Sequence, residues 1–349
     1  MGKRILDTDS RYWLAGFLDV QSGRGLALCA GERDAVGVRT DFHAEDVIVE
    51  RYRVKRAIGR GGMGVVYLVE DLQEHRELAL KTLLPQYAAN GFAVRRFIRE
   101  VNAVRRLRHP AIVKVYDARR VGSLIFYTMD YIQGKSLRKW LSQRGKLGLN
   151  STVRIMALLA DALEHAHQYT IHRDLSPENV MVLPDGTIRL LDFGLAKLSD
   201  NEGGFTQVGI SLGKLQYNAP EQRANAADVD QRADIYSMGV MFYEMLSGQL
   251  PEPEEPLTQL VPELPPEADD FVEKAMAPLR EHRFADARAF RVALMELYAL
   301  SKQAPEERAK SSRTTQRRAS WASRVWAWAR GRLPGRRRGK RACGPAART

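Results

Sequence analysis

Two kinds of hydrophobic pattern follow one another along the chain, and their order constrains the fold more than any other feature. From Tyr52, the segments YRVKRAIG, GVVYLVED and LALKTLL alternate apolar and polar residues, which predicts consecutive antiparallel strands. The stretch AVRRFIREVNAVRRLRH then predicts an amphipathic helix that packs on them. After Leu149, four long segments have helical spacing. The sequence therefore predicts an α+β protein with a small antiparallel β-rich lobe followed by a larger helical lobe.

Charge divides the chain as clearly as hydropathy does. The formal net charge is +12, but residues 301–349 hold 15 Lys and Arg against 2 Asp and Glu, whereas residues 1–300 hold 39 against 40. Only this tail has the charge to attract an anionic partner. We expect an N-terminal extension of unknown fold at 1–50, a two-lobed domain at 51–300 whose lobes meet near residue 130, and a disordered basic tail at 301–349.

The sequence also indicates the cellular compartment in which the protein acts. Cys29 and Cys343 lie near opposite ends and indicate neither a disulfide framework nor a metal site. The start MGKRILDTDSR lacks the apolar core of a signal peptide, and no apolar run reaches the ~18 residues of a membrane span. We expect a cytoplasmic protein.

A glycine-rich segment is the first candidate for a binding site. In IGRGGMGVVY, the residues Gly59, Gly61 and Gly64 have the spacing G-x-G-x-x-G and a strand follows. Glycines between two strands allow backbone N–H groups to approach phosphates, which suits a flap over a nucleotide. Taken alone, the same spacing fits a simple hairpin turn.

Three further motifs supply charged and metal-binding side chains. Lys81 lies on a predicted strand, and Glu100 lies on the next helix, where it could form an ion pair with Lys81. LLDFG places Asp192 at the end of an apolar strand, and IHRDLSPENV places Asp174 five positions before Asn179. Asp192 and Asn179 together offer the oxygen ligands that Mg²⁺ prefers. Asp174 is then left to accept a proton from a hydroxyl group.

Taken together, these motifs carry a family resemblance. The chain resembles the eukaryotic-type serine/threonine protein kinases, in particular their bacterial branch, through IGRGGMGVVY, LALK, IRE, RHPAIV, HRDLSPEN, LLDFG, YNAPEQ and DQRADIYSMGVMFYEMLSGQLP. The matches cover roughly residues 52 to 298. The resemblance implies a two-lobed kinase fold, ATP and Mg²⁺ (or Mn²⁺) as cofactors, and protein substrates phosphorylated on Ser or Thr.

The resemblance also implies roles by position. Lys81 contacts the α and β phosphates, Glu100 orients Lys81, Asp174 is the catalytic aspartate, and Asn179 and Asp192 hold the metal. The implied ATP-binding set is Ile58, Gly59, Arg60, Gly61, Gly62, Met63, Gly64, Val66, Ala79, Lys81, Met129, Asp130, Ile132 and Met181. The implied structural set is Arg173, Glu221, Asp234 and Arg283, in which Glu221 pairs with Arg283 and Asp234 braces the catalytic loop.

Two positions depart from the family pattern. Ser176 stands where the catalytic loop usually has lysine, and Lys214 stands where a threonine usually follows the glycine of the activation segment. In the family these positions are neighbours in space, so one hypothesis is an exchange in which Lys214 supplies the charge and Ser176 the hydrogen bond. The alternative is two unrelated losses, which would indicate a nucleotide-binding pseudokinase that acts as a scaffold.

The remaining expectations concern phosphorylation and the tail. Thr206 is the first candidate for autophosphorylation, with Ser211 weaker, and Ser320 is a candidate in the tail. Trp321, Val325 and Trp328 recur at i, i+4 and i+7 among arginines. This pattern favours an interfacial helix on an anionic membrane surface, while nucleic acid or no partner at all stays open.

Overall fold

The strands form two sheets, and the larger one lies in the N-terminal lobe. In the computed structural model, described residues are 41–61, 64–84, 91–122, 124–193, 214–224, 228–252 and 255–303, without the side chains of 92, 93, 95, 96, 99 and 100. The larger sheet has the order β1-β2-β3-β4-β6-β5, and every neighbouring pair is antiparallel. Its strands are β1 (Val47–Ile48), β2 (Tyr52–Gly61), β3 (Gly64–Asp71), β4 (Arg76–Thr82), β5 (Val115–Val121) and β6 (Leu124–Asp130).

The described helices lie mainly after the sheet. They are α1 (Gly91–Arg105), α2 (Leu137–Arg144), α3 (Leu149–Ala166), α4 (Pro220–Ala224), α5 (Arg232–Ser247), α6 (Leu257–Leu260), α7 (Glu267–Ala275) and α8 (Ala287–Ser301). A small sheet of β7 (Lys135–Ser136), β8 (Val180–Val182) and β9 (Ile188–Leu190) carries the loops of the site. Among the described helices, none is both long and apolar enough to cross a lipid bilayer.

The two faces of the large sheet explain why its strands alternate. Along β4, Leu78 and Leu80 enter an outer cluster with Tyr52 and Phe126, while Ala79 enters the main core. Successive side chains of a strand point to opposite faces, so burial of both faces fixes the register. The main core continues through α1 into the helical lobe. The predicted two-lobed α+β fold is confirmed.

Several elements were not anticipated from the sequence. Strand β6, LIFYTMD, is buried on both faces and therefore lacks a polar alternation. Helix α2 buries only Leu137 and Leu141 and depends on Ser136, whose side chain caps its first turn. The sheet also begins upstream of the expected boundary at residue 51, because β1 pairs with the start of β2. Thr206, Ser211 and Ser320 lie outside the described residues, as do Gly62, Met63 and the basic tail after residue 303.

Candidate active site

The glycine-rich segment forms the β2–β3 hairpin. Gly61 and Gly64 are partners in the ladder on either side of its tip. A Cβ atom at Gly64 would lie 1.7 Å from the carbonyl oxygen of Thr82, so only glycine fits there. At Gly61 a Cβ atom would meet nothing within 4 Å, so space does not require glycine there. Because Gly61 has no side chain, its exposed backbone is accessible to a ligand. The hairpin can therefore approach a phosphate through backbone atoms.

Lys81 lies on β4 and reaches across to the strand-end aspartate. Its Nζ donates to Oδ2 of Asp192 at 2.7 Å, and the hydroxyl of Tyr127 donates to Oδ1 at 2.7 Å. Burial by itself raises the pKa of Asp192, but Lys81 and Tyr127 together hold that pKa below its usual range. The backbone of Glu100 lies in α1, and its expected ion pair with Lys81 falls outside the described side chains.

The catalytic loop brings Asp174 and Asn179 together. Nδ2 of Asn179 donates to the backbone oxygen of Asp174 at 2.7 Å and to its Oδ2 at 3.1 Å. From the activation segment, Nζ of Lys214 donates to the same Oδ2 at 3.3 Å. Of the two positions that depart from the family pattern, Lys214 thus contacts the catalytic-loop aspartate, and Ser176 lies two residues after that aspartate.

Ser176 does not form the hydrogen bond that the exchange hypothesis requires. Its side chain is 1% exposed, and its Oγ lies near the Glu178 carboxylate but makes no hydrogen bond of normal geometry within the described residues. Oγ of Ser176 therefore makes no hydrogen bond to the Asp174 carboxylate that Lys214 contacts. The hydrogen-bond half of the exchange is not present within the described residues and stays a prediction.

The base of the catalytic loop is held by Asp234 of α5. Its carboxylate accepts the backbone N–H groups of His172 at 2.9 Å and Arg173 at 2.8 Å, and Nε2 of His167 lies 2.8 Å away. Arg173 has φ +63, and Gln222 clamps it from the other side by donating to its carbonyl at 2.8 Å. A non-glycine residue in this region is strained and persists only where its surroundings fix it.

His172 connects the catalytic loop to the strand that ends at Asp192. Its Nε2 donates to the carbonyl of Leu191 at 2.8 Å, and its Nδ1 accepts the N–H of Asp174 at 3.3 Å. Its ring packs against Phe193 at a centroid distance of 4.7 Å. Burial lowers the pKa of His172, which keeps the ring neutral and able to donate at one nitrogen and accept at the other.

A second buried pair holds the end of the activation segment. Arg283 is buried and donates to both carboxylate oxygens of Glu221, at 2.7 and 2.8 Å. Its other N–H groups reach the carbonyls of Ala277, Pro278 and Arg232. A bidentate pair with its remaining donors satisfied fixes both position and orientation.

Most apolar residues of the expected ATP-binding set lie on the hairpin, on β4 and at or just after the end of β6. Ala79 and Met129 are cross-strand partners and are buried, and Ile58, Val66 and Ile132 are half-buried against the same core. Of the other expected ATP-binding residues, Arg60 of the hairpin is exposed and Met181 of β8 is half-buried. The N–H of Asp130 donates to the carbonyl of Lys114 at 3.0 Å. Gly59 lies on β2.

Sequence reasoning missed a partly buried network of polar side chains beside this site. Arg138 of α2 donates to Glu178 at 2.9 Å and to Glu244 at 2.6 Å, and it also donates to the hydroxyl of Tyr217. Tyr217 in turn donates to Glu244 at 2.5 Å. The group ties the catalytic loop, the activation segment and α5 together. Its members are far apart in the chain, so no local pattern reveals them.

The donor set suits a divalent cation. Because Nδ2 of Asn179 is used by Asp174, the amide oxygen is the atom left for a metal, and Asp192 adds a carboxylate. Mg²⁺ is usually held by one or two such protein oxygens together with phosphate oxygens and water. The residues present therefore fit a magnesium–nucleotide complex.

Comparison with known proteins agrees with this geometry. A protein kinase domain model matches residues 52–285. Serine/threonine-protein kinase PknB of Mycolicibacterium smegmatis is 33% identical over 270 residues, covering 71% of this chain and 43% of that protein. PrkC of Bacillus subtilis, also a serine/threonine-protein kinase, is 32% identical over 253 residues, covering 68% of this chain and 39% of that protein. The crystal structure of the Mycobacterium tuberculosis PknI kinase domain matches with a TM-score of 0.62 and 33% identity, covering 73% of this chain and 100% of that one.

The similarity to these proteins is concentrated in one part of their length. The chain spans less than half of the curated relatives PknB and PrkC, but all of the PknI kinase domain structure. The family model covers strands β2 to β9, the catalytic loop and the Glu221–Arg283 pair. The chain therefore belongs to the protein kinase family, among the bacterial serine/threonine-protein kinases.

Proposed function

We propose that this chain is an active ATP-dependent serine/threonine kinase that phosphorylates hydroxyl groups of proteins. The observation that carries the proposal is the contact of Lys214 and Asn179 with Asp174, opposite the Lys81–Asp192 pair. A scaffold without catalysis would have no need of a cation aimed at this aspartate. The curated relatives named as serine/threonine kinases support the same activity.

In the proposed reaction, the polar residues act on the substrate hydroxyl, the metal ion and the phosphates. Asp174 orients the substrate hydroxyl and accepts its proton, because its carboxylate is held by Asn179 and Lys214. Asp192 and Asn179 would hold Mg²⁺, which when bound neutralises phosphate charge. Lys81 would exchange Asp192 for the phosphates of ATP. The apolar residues around Ala79 and Met129 would hold adenine.

Lys214 is proposed to supply the charge that Ser176 lacks. Phosphoryl transfer depends on preorganised positive charge near the transferring group. The ammonium group of Lys214 lies 3.3 Å from Oδ2 of Asp174, so it is adjacent to the position where a substrate hydroxyl would lie. A four-carbon stem also allows it to move toward a phosphate while it stays near the aspartate.

The activity is tested with labelled ATP and two matched variants. Asp174→Asn and Asp192→Asn are both expected to abolish phosphoryl transfer. Only Asp192→Asn should markedly change the Mg²⁺ dependence of nucleotide binding, since Asp192 is assigned to the metal and Asp174 to the hydroxyl. Transfer that survives in Asp174→Asn would show that the wild-type signal comes from another kinase. Equal loss of metal-dependent binding in both variants would show that the two roles are wrongly divided.

Three further proposals concern the extent of the domain and phosphorylation sites outside the described residues. We propose that residues 51–300 form the kinase domain, that Thr206, or more weakly Ser211, is autophosphorylated, and that phosphate on Ser320 weakens binding of the tail. Phosphopeptide mapping after incubation with ATP tests the two sites of the activation segment. Phosphate found only outside residues 192–221 would contradict them.

The basic tail is proposed to bind anionic membrane surfaces. Its tryptophans suit the headgroup boundary, and each Lys or Arg adds about 1 kcal/mol near an anionic surface. Sedimentation with anionic vesicles, with and without residues 301–349, tests this. Retention by DNA but not by vesicles would favour nucleic acid, and full-length protein that stays in the supernatant at low salt would exclude the membrane.

A further inference from the structure

Tyr127 has a polar contact for which the proposed reaction has no use. It is 1% exposed, in the middle of β6, and its hydroxyl donates to Oδ1 of Asp192 at 2.7 Å. Lys81, its direct cross-strand partner, donates to Oδ2 of the same carboxylate at 2.7 Å. Two neighbouring residues of the sheet thus hold the two oxygens of one aspartate, which lies 65 residues after Tyr127 and 111 after Lys81.

The position of the Tyr127 ring is itself well fixed. The residue is part of a strand with neighbours on both sides, and its ring packs against Phe97 of α1 at a centroid distance of 5.8 Å. The aspartate, by contrast, has φ +45, a conformation that non-glycine residues rarely adopt. Strained backbone persists where surrounding contacts over-determine it. The hydroxyl of Tyr127 is one of the two side-chain contacts that hold Asp192 from the sheet.

We propose that Tyr127 is a positioning residue that orients Asp192 for the divalent cation. The inference rests on the proposed function, in which Asp192 is a metal ligand. Each carboxylate oxygen has two lone pairs, so an oxygen that accepts one hydrogen bond can still bind a cation. By fixing Oδ1, Tyr127 limits rotation of the carboxylate and couples its orientation to the sheet and to α1.

The test compares two buried tyrosines of the same sheet. Tyr127→Phe removes the hydroxyl and keeps the ring. The matched control is Tyr52→Phe, because Tyr52 is also buried and its hydroxyl donates to Asp117 at 3.2 Å, but it lies in the outer cluster. Binding of a fluorescent ATP analogue is titrated with MgCl₂ and, separately, measured in EDTA. The midpoint of urea unfolding is recorded for each variant.

A hydrogen bond to a charged group contributes more than one between neutral groups, so the expected effect is large. The Mg²⁺ concentration for half-maximal nucleotide binding should rise about tenfold in Tyr127→Phe and stay unchanged in Tyr52→Phe. Nucleotide affinity in EDTA should equal that of the wild type. A purely structural role would instead lower the unfolding midpoint and leave the metal dependence alone.

Two outcomes overturn the proposal in different ways. If the wild type binds nucleotide with clear metal dependence and Tyr127→Phe shows the same dependence, Tyr127 does not orient the ligand, while the proposed function stands. If the wild type shows no metal dependence at all, the assignment of Asp192 fails and this inference fails with it. An equal shift in Tyr52→Phe also contradicts a specific role for Tyr127.

Discussion

The base of the catalytic loop and its reacting face are held in opposite ways. At the base, Asp234 is 1% exposed and accepts two backbone N–H groups beside His167, and behind the base Arg283 is fully covered against Glu221 at the end of the activation segment. At the reacting face, the Lys214–Asp174 pair has side chains 28% and 17% exposed. The base consists of buried charges that are paired, although Nδ1 of His167 makes no hydrogen bond within the described residues, whereas the face consists of partly open ion pairs.

This difference follows from what each region must do. Buried charges need complete partners because desolvation is costly, and such groups then hold one geometry. Side chains that must release a protein partner in order to bind ATP or a metal ion cannot be fully buried with permanent partners. Changes at the base should therefore act on stability, and changes at the face should act on turnover.

The largest expected effect is the loss of stability in Arg283→Ala. Removing the guanidinium leaves the Glu221 carboxylate without its partner and three backbone carbonyls without their donor. Breaking a buried pair in this way costs about 3–5 kcal/mol. Urea unfolding measures the loss.

The matched control is Arg291→Ala, a more exposed arginine paired with Asp161 and Glu164, which should cost less than about 1 kcal/mol. Equal losses would remove the contrast between buried and open pairs.

The second prediction moves to the reacting face. Lys214→Thr should lower the rate of phosphoryl transfer by about 10²–10³, because a preorganised charge is lost. Its unfolding free energy should change by less than about 1 kcal/mol, since the pair is partly exposed. Labelled-ATP assays and urea unfolding report the two quantities on the same preparation.

A control and a rescue make the Lys214 experiment specific. Lys55→Thr removes a lysine that pairs with Glu77 at 2.9 Å away from the site, and it should leave turnover unchanged. Adding Ser176→Lys to Lys214→Thr should restore most of the rate, because it returns the charge to the loop. Full activity in the Lys214→Thr single variant would end the charge-replacement proposal.

The fold and most of the candidate site could be predicted because their signals are local. Period-two segments around Leu78 and helical spacing after Leu149 specify the elements, and Asp174, Asn179 and Asp192 lie in short motifs. The partners of these residues could not be predicted in the same way. Tyr127 looks like any buried aromatic residue of a strand, although a buried tyrosine hydroxyl needs a partner, and this was the only hint.

Arg138 and Gln222 illustrate the same limit. Arg138 meets Glu244 across 106 residues, and Gln222 meets the carbonyl of Arg173 across 49. Such contacts depend on how α2, α4 and α5 pack, which periodicity does not specify. The expected Ser176 hydrogen bond depends in the same way on packing that the sequence does not specify, and it is not seen within the described residues.

The third prediction concerns pH and the base of the loop. Burial lowers the pKa of His172 below its ordinary value of 6.5, so below that pH the unfolded chain binds a proton that the folded chain does not. Stability should therefore fall as pH decreases from about 6.5, by at most about 1.4 kcal/mol per pH unit. Urea unfolding at pH 7.5, 6.5 and 5.5 measures the slope.

His172→Gln supplies the comparison for this slope. Glutamine keeps a donor and an acceptor but does not titrate, so the variant should have a smaller slope than the wild type even if its stability is lower at pH 7.5. Identical slopes would assign the pH dependence to groups other than His172.

The smallest effect is expected at Ser176, where the two regions meet. Its hydroxyl is buried and makes no hydrogen bond within the described part of the chain, and an unsatisfied buried polar group costs roughly 1–3 kcal/mol. Ser176→Ala removes this group without changing the backbone, so the variant should be as stable as the wild type or more stable, by up to about 1 kcal/mol. Turnover should stay within about twofold, because Lys214 and not Ser176 contacts Asp174. A tenfold loss of turnover with unchanged stability would show that Ser176 finds a partner once substrate binds. Position 176 would then belong to the reacting face, and the exchange with Lys214 would be reciprocal after all.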